Sequence, residues 1–378
     1  MNYIPLTQVC DFQGGSQPPK EQWIDHAEEG YIRMLQIRDF TQPDKDNIEY
    51  VRITKTVKTC NEDDILIGRY GASVGKILTG LSGAYNVAII KTIPDASKLT
   101  KRFLYHYLNS PYFQSFILSV GSRAAQAGFN KEDLSDAQIP QLSLKEQEYV
   151  TARLDKIVDL IALRKQQLSK LDELVKSRFI EMFGECEEHK RLEEYANLIT
   201  KGASPKWQGV DYCEEGTLFV TSENVREGYL DLSKRKYLDN KINEIQPRSM
   251  LKRNDILINI VGASIGRATV YDCDEVANIN QAVALVRVDY SQINQTYLMT
   301  FLNSPQAIEM YGKMKKGGAR DNLSLQNIAD LQIPVASIDL QNQFAAFVEQ
   351  TDKSKFEIQK SLEKLETLKK ALMQKYFG

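Results

Sequence analysis

The sequence predicts an α+β fold written twice. Two globular modules of mixed α/β structure are separated by two long helices, which pair as an antiparallel coiled coil with internal pseudo-twofold symmetry. Three observations carry this reading: short motifs recur at a near-constant offset, each recurring unit opens with strand and turn signals, and each unit closes in a helix free of proline and glycine.

The recurrence comes first, because an internal repeat governs every later assignment. Asp64-Ile-Leu-Ile67 returns 191 residues later as Asp255-Ile-Leu-Ile258. In the same register Gly71-Ala-Ser-Val-Gly75-Lys76 returns as Gly262-Ala-Ser-Ile-Gly266-Arg267. Leu108-Asn-Ser-Pro111 returns 194 residues later as Leu302-Asn-Ser-Pro305. Gln138-Ile-Pro140 and Phe183-Gly184 share that offset with Gln332-Ile-Pro334 and Phe377-Gly378. The chain is a tandem duplication.

Within a unit, Gly14-Gly15-Ser16-Gln17-Pro18-Pro19 reads as a loop, Tyr50–Ile53 alternates like a strand, and Asp64–Ile67 is a short apolar run ending at Gly68. A helix from Thr100 to Leu108 breaks at Asn109-Ser110-Pro111, since proline disfavours a helical residue before it. Ile139-Pro140 and Ile333-Pro334 mark the exits from the modules. In the first long helix Ile157, Ile161, Leu168, Leu171, Val175, Phe179 and Met182 approach a 4-3 alternation interrupted by Arg164. Ile358, Leu362, Leu365, Leu368, Leu372 and Tyr376 repeat it in the second, the signature of a packed helix pair. Gly184 stands where a left-handed C-cap would sit. The expected boundaries are a first module over 1–143, a central helix over 144–184, a second module over 185–336 and a C-terminal helix over 337–378. From Leu144 to Met182 a helix would extend about 58 Å at ~1.5 Å per residue, with the modules at opposite ends of such a rod. One chain would thereby offer two similar faces to two copies of a partner.

Composition bounds the function. The chain has 378 residues, 42% hydrophobic and 26% charged, enough for two domains. No apolar run approaches the ~18 residues of a membrane span, and the opening residues lack the basic and apolar regions of a signal peptide. Five scattered cysteines without a CxxC pair argue against a disulfide framework or zinc site and fit a cytoplasmic protein. The net charge of −2 gives nucleic-acid binding no support by itself, unless cations concentrate on one face or a partner shares the contact.

The repeated glycine segment formally matches the nucleophile elbow of hydrolases at Ser73. That arrangement requires a histidine later in the chain, and of His26, His106 and His189 none follows the second copy, Ser264. A phosphate-cradling loop needs four residues between its glycines, where Gly71 and Gly75 have three. Two readings stay open: a structural turn, or a turn that brings Ser73, Lys76, Ser264 and Arg267 to phosphates.

The ordered set of DILI, GASxGK/R, Tyr85-Asn86-Val-Ala88 with Ile279-Asn280-Gln-Ala282, LNSP and QIP leading into a long helix resembles the specificity subunit of type I restriction–modification systems. The resemblance covers both halves of the chain. It implies two target-recognition domains, each reading one half of a bipartite double-stranded DNA target, with the paired helices setting the spacer. It also implies two docked modification subunits that carry S-adenosylmethionine and adenine-N6 methylation, and restriction subunits that translocate and cut DNA. The chain itself would hold no catalytic residue, metal or cofactor, and it lacks the methyltransferase N/D-P-P-Y/F motif. Two departures stand out. Gly14–Pro19 and Lys201-Gly-Ala-Ser-Pro205 vary a Gly-Thr-Pro-like opening, and Asn86-Val87 differs from Asn280-Gln281. A coiled-coil scaffold with two protein-binding modules is the alternative.

Arg and Lys read guanine, Asn and Gln read adenine, and cations and hydroxyls hold phosphates. The candidates for DNA contact therefore include the glycine-bordered loop with Arg123, Gln126 and Asn130, and its counterpart with Lys313, Lys315, Lys316, Arg320 and Asn322. Lys20 and Lys206 lie beside Trp23 and Trp207, for which core packing is the expected role. Arg38 and Asn224 occupy equivalent strand exits and, with Ser73, Lys76, Ser264 and Arg267, complete the set. On the long helices Glu173, Lys176, Lys364 and Lys370 read as a solvated face, part of which could dock modification subunits.

Overall fold

The computed structural model describes residues 2–42, 48–121, 128–314 and 322–378, and the account below is of these residues. They form two compact units, one of Met1–Lys165 with Lys360–Gly378 and one of Gln166–Gln359.

In the first unit a four-stranded sheet is built from β1 (Cys10–Gly14), β3 (Leu66–Gly68), β4 (Ile77–Leu78) and β6 (Ile89–Pro94), in the order β1-β6-β3-β4. A second sheet contains β2 (Tyr31–Leu35) running parallel to β5 (Gly83–Tyr85). Tyr3–Pro5 pairs antiparallel with Gln138–Pro140, so the QIP exit closes the module against its own first strand. Helices α1 (Lys101–Leu108) and α2 (Pro111–Gly121) cover the first sheet, and Thr100 caps α1 by accepting from the Phe103 N–H.

The second unit repeats the plan. Its main sheet has β7 (Ala196–Lys201), β9 (Ile256–Asn259), β10 (Ala268–Val270) and β12 (Val283–Val288) in the equivalent order β7-β12-β9-β10. In its second sheet β8 (Thr217–Val220) runs parallel to β11 (Ala277–Ile279). His189–Arg191 pairs with Gln332–Pro334, and helices α4 (Gln295–Leu302) and α5 (Pro305–Met314) follow.

The long helices are α3 (Leu144–Phe183) and α6 (Ile338–Phe377). Each unit takes the start of one and the end of the other, and within each unit the two run antiparallel. In the first, Val150 and Leu154 of α3 share a core with Met373, Tyr376 and Phe377 of α6. The Phe377 ring lies 5.2 Å from Phe103 and 6.0 Å from Tyr107, both buried. In the second, Phe344 of α6 meets Phe179 and Phe183 of α3, and Phe183 lies 4.6 Å from Tyr297. Ion pairs Lys165–Glu366 and Lys355–Asp172 flank the seam on the surface, where such pairs contribute little.

A buried glutamine ties each long helix to its module. Gln147 accepts from the Thr100 N–H and donates to the Lys98 and Leu142 carbonyls. Gln341 accepts from the Asn294 N–H and donates to the Ala336 carbonyl. Both are nearly fully buried, so losing the partners would leave costly unsatisfied amides.

Two expectations about the helices need correction. Gly184 does not have a positive φ; its N–H bonds the Ile180 carbonyl and simply continues the last turn, with no left-handed cap. Leu368 is 47% exposed and lies off the seam, where the half-buried position is Lys369. A spacing of four from Leu365 holds the stripe on one face better than a spacing of three, and a lysine stem can cover apolar surface. Among the described residues, no helix is long and apolar enough to cross a membrane.

Phe377→Ala is expected to cost the first unit about 3–5 kcal/mol, the usual penalty for emptying a buried aromatic site. Urea unfolding followed by circular dichroism checks this, and an unchanged midpoint would contradict it.

Candidate nucleic-acid interface

Strand register brings several connections of each module to one sheet end. In the second unit β7 finishes at Lys201 opposite Ala284, and β9 finishes at Asn259 opposite Val283. The parallel strands β8 and β11 finish together at Val220 and Ile279, where the Asn280 N–H donates to the Val220 carbonyl. In the first unit β1 ends at Gly14 opposite Ile90, β3 at Gly68 opposite Ile89, and β2 and β5 at Leu35 and Tyr85. The exits carrying Lys206, Asn224, Ser264 and Arg267, and those carrying Lys20, Arg38, Ser73 and Lys76, thus gather at equivalent ends.

The repeated glycine segment is a single 3-10 turn between two strands in each unit. Gly71 and Gly75 have φ of 58° and 78°, and Gly262 and Gly266 have 79° and 88°. A Cβ on Gly75 would stand 2.7 Å from Cγ2 of Ile117, and on Gly266 2.5 Å from Cδ2 of Tyr311. The second glycine of each copy therefore serves two needs, a left-handed backbone and close seating on α2 or α5. Gln114 reinforces the first by donating to the Gly75 carbonyl at 2.9 Å. Lys76 and Arg267, next to the second glycine of each copy, are exposed and without a carboxylate partner among the described residues.

The glycine-bordered loops end on the same turns. Tyr70 bridges Gly128, and Arg69 Nε donates to the Phe129 carbonyl. Val261 bridges Asn322, and the Leu323 N–H donates to the Ile260 carbonyl. Asn322 is exposed beside the turn. Arg123, Gln126, Lys315, Lys316 and Arg320 lie outside the described residues. Lys313 is exposed on α5 and pairs with Glu309 at 2.7 Å. Asn130 is committed locally, exchanging hydrogen bonds with Asp133.

Two strand-exit residues serve the fold. Asn224 is buried; its Oδ1 accepts from the backbone N–H and hydroxyl of Thr221, and its Nδ2 donates to the Asp231 and Lys234 carbonyls. Every group of its amide is used, which leaves nothing for a base. Arg38 pairs with Glu49, to which Gln36 also donates. Trp207 departs from the packing expectation, being 87% exposed, whereas Trp23 is half-buried and donates to the Pro18 carbonyl at 3.0 Å.

Other repeated residues build the frame. A Cβ on Gly15 would lie 2.0 Å from the Asn86 carbonyl oxygen, and on Gly202 1.7 Å from that of Ile279, so both opening loops press on the asparagine turn. Asn86 and Asn280 each accept from the N–H two residues on, at 3.1 Å, so Val87 in place of glutamine leaves that turn intact. Asp64 and Asp255 cap the backbone before β3 and β9, and Arg287 grips Asp255 with two bonds of 2.7 and 2.6 Å. Burial works against the charge on Asp64, but the Lys101 and Asn61 hydrogen bonds and nearby Lys91 outweigh it and hold the carboxyl below its usual range. Asn259, unmarked by any motif, donates to the Ser222 and Val225 carbonyls and to Ser264 Oγ, joining two connections at the sheet end.

Among the described residues no serine–histidine pair forms: His26 faces Asp25 and Glu28, buried His106 bonds Asp155 at 2.7 Å, and His189 faces the Glu187 carbonyl. Among the described residues, no group of three or more His, Cys, Asp or Glu is placed to hold a metal ion.

The model of the type I restriction modification DNA specificity domain matches residues 1–173 and again residues 188–370. The chain belongs to this family. The type I restriction enzyme EcoBI specificity subunit of Escherichia coli is 25% identical over 348 residues, 83% of this chain and 73% of that one. The MjaVIII specificity subunit of Methanocaldococcus jannaschii is 22% identical over 371 residues, 93% and 86% of the two chains. Two solved structures share the fold, each at 15% identity and each covering this whole chain. One, described under the assembly and conformational transition of the type I R-M system, has a TM-score of 0.65 and is covered over 97% of its length. The other, a type I S subunit from M. genitalium, has a TM-score of 0.57 and is covered over 96%. This specificity subunit therefore supplies DNA specificity, not catalysis, to a type I complex.

Gly266→Ala is expected to lower stability by more than ~1 kcal/mol, since backbone strain and the Tyr311 clash add. Gly262→Ala, with open space at its Cβ, should cost less. Thermal unfolding of the two variants checks the order, and equal losses would contradict it.

Proposed function

We propose that each unit of this specificity subunit reads one half of a bipartite double-stranded DNA target through its sheet end, and that α3 and α6 set the spacer between the halves. Family membership implies DNA and modification- and restriction-type subunits as partners. The observation that carries the finer reading is the contrast between a repeated frame and unlike loops. The glycine turns, asparagine turns and opening loops match, while the residues they present differ: Lys76 against Arg267, and Gly128 against Asn322. Two unlike half-sites need such an arrangement.

The contacts we assign to DNA are those left exposed at or next to the sheet ends, namely Lys20, Lys76, Lys206, Arg267, Lys313 and Asn322, with Ser73 and Ser264 on the turns. Arg123, Gln126, Lys315, Lys316 and Arg320 belong to the same proposal through their place in the loops. Cations there would hold phosphates, and the loop amides and guanidinium groups would read base edges. The net charge of −2 suits a chain that grips DNA together with its partners.

Two modification subunits would dock on the long helices, bringing S-adenosylmethionine and flipping the target adenine for N6 methylation, while restriction subunits translocate and cleave. The duplication supports a paired docking site: Leu174 on α3 and Leu368 on α6 occupy equivalent positions and are each 47% exposed. An apolar side chain left in water at both copies suits two copies of one partner. The double variant Leu174→Arg with Leu368→Arg is expected to fold normally yet lose assembly with modification subunits, read by native mass spectrometry. Intact assembly would remove these residues from the docking site.

The spacer role is tested by lengthening both long helices by the same number of heptads and mapping the methylated sites. A longer spacer between unchanged half-sites is the expected result. Altered half-sites with an unchanged spacer would overturn the assignment of roles.

A further inference from the structure

We infer that Trp207 is a DNA-stacking residue of the second unit, a contact that its counterpart Trp23 does not make. The inference rests on the proposal that the second unit reads DNA through its sheet end.

Trp207 is 87% exposed, the most exposed of the large hydrophobic residues among those described. Tryptophan is highly buried on average, and an indole kept in water marks a surface built for contact. Its exposure is not a loose end of chain. Trp207 sits on the 3-10 turn Pro205–Gln208, whose flanks Pro205 and Val210 are buried. The turn is closed by the Trp207 N–H to the Ser204 carbonyl, the Val210 N–H to the Pro205 carbonyl, and Gly209 in the left-handed region at φ 63°, ψ 34°. Upstream, Gly202 is pressed so closely on Ile279 that no side chain would fit. A rigid pedestal therefore presents a bare aromatic face, with little ordering entropy left to lose on contact.

Position and charge favour DNA over protein as the contact. Trp207 follows Gly202 by five residues, so it lies within about 18 Å of the sheet end at the chain's greatest reach. Lys206 beside it and Lys201 at the end of β7 are exposed and have no carboxylate partner among the described residues. The acids Asp211, Glu214 and Glu215 come only after the reversal at Gly209. A cation next to an aromatic face is the composition that tracks a phosphate backbone while stacking on a base or sugar. In the first unit Trp23 is half-buried and its Nε1 is spent on the Pro18 carbonyl. Only the second half-site would be read with this contact.

The test uses the subunit assembled with its modification subunits and a randomised duplex DNA library. The sequence enriched by the wild-type complex then serves as the probe for variants. Trp207→Ala is expected to bind that duplex about tenfold more weakly or worse, by the same factor at low and high salt, with Trp207→Phe restoring most of the loss. Lys206→Ala should instead flatten the salt dependence. Wild-type affinity in Trp207→Ala would overturn the inference. So would a variant that fails to assemble but binds DNA normally in whatever complex does form, since the contact would then be to protein. If the wild-type complex enriches no sequence at all, the DNA-reading role of the second unit falls, and this inference with it.

Discussion

The arrangement depends on where the two long helices end. Each finishes on a phenylalanine buried in an aromatic cluster, Phe183 with Tyr297 and Phe344 in one unit and Phe377 with Phe103 and Tyr107 in the other. Each core is thus completed by the end of one long helix and the start of the other. A cavity at either phenylalanine would cost a large share of the 5–15 kcal/mol by which domains are typically stable. That constraint makes the helices part of both cores and not a linker between finished domains. A buried glutamine at the start of each helix, Gln147 or Gln341, fixes the same joint through backbone hydrogen bonds.

On this joint the modules build similar sheet ends from the same few devices. A glycine with positive φ lets a turn sit on a helix, an asparagine closes the turn beside it, and a second glycine lets the opening loop approach. None of these groups needs to touch a ligand. Their work is to hold backbone in place, and the residues they carry are free to differ between the copies. A frame kept constant with contacts that vary is the physical arrangement on which the proposal of two unlike half-sites rests.

Much of this was legible in the sequence because duplication supplies its own control. The offset of Phe183-Gly184 and Phe377-Gly378 marked both helix ends, and the lack of a histidine after Ser264 argued against a hydrolase before any geometry was known. What the motifs could not disclose is how their side chains are spent. Asn224 stood at a strand exit and looked available, yet its amide is consumed by four local hydrogen bonds, a pairing set by loop closure that has no sequence period. Asn259 and the two glutamines have no mark in the sequence, because an isolated polar residue carries no sign of burial. Leu368 breaks the 4-3 alternation that Ile358, Leu362 and Leu365 begin; the seam continues at half-buried Lys369, where a charged residue hid the position. Trp207 misled in the opposite sense, since composition favours burial for tryptophan and only the fold reveals a bare indole.

The central claim is that this one chain dictates a DNA sequence in two separated parts. Methylation mapping in cells that carry the chain with its modification subunits tests it most directly. The account predicts modified adenines within one bipartite motif, two unlike half-sites held at a fixed spacing, which disappears when the chain is deleted. A contiguous motif, or a methylation pattern that persists without this chain, would contradict it.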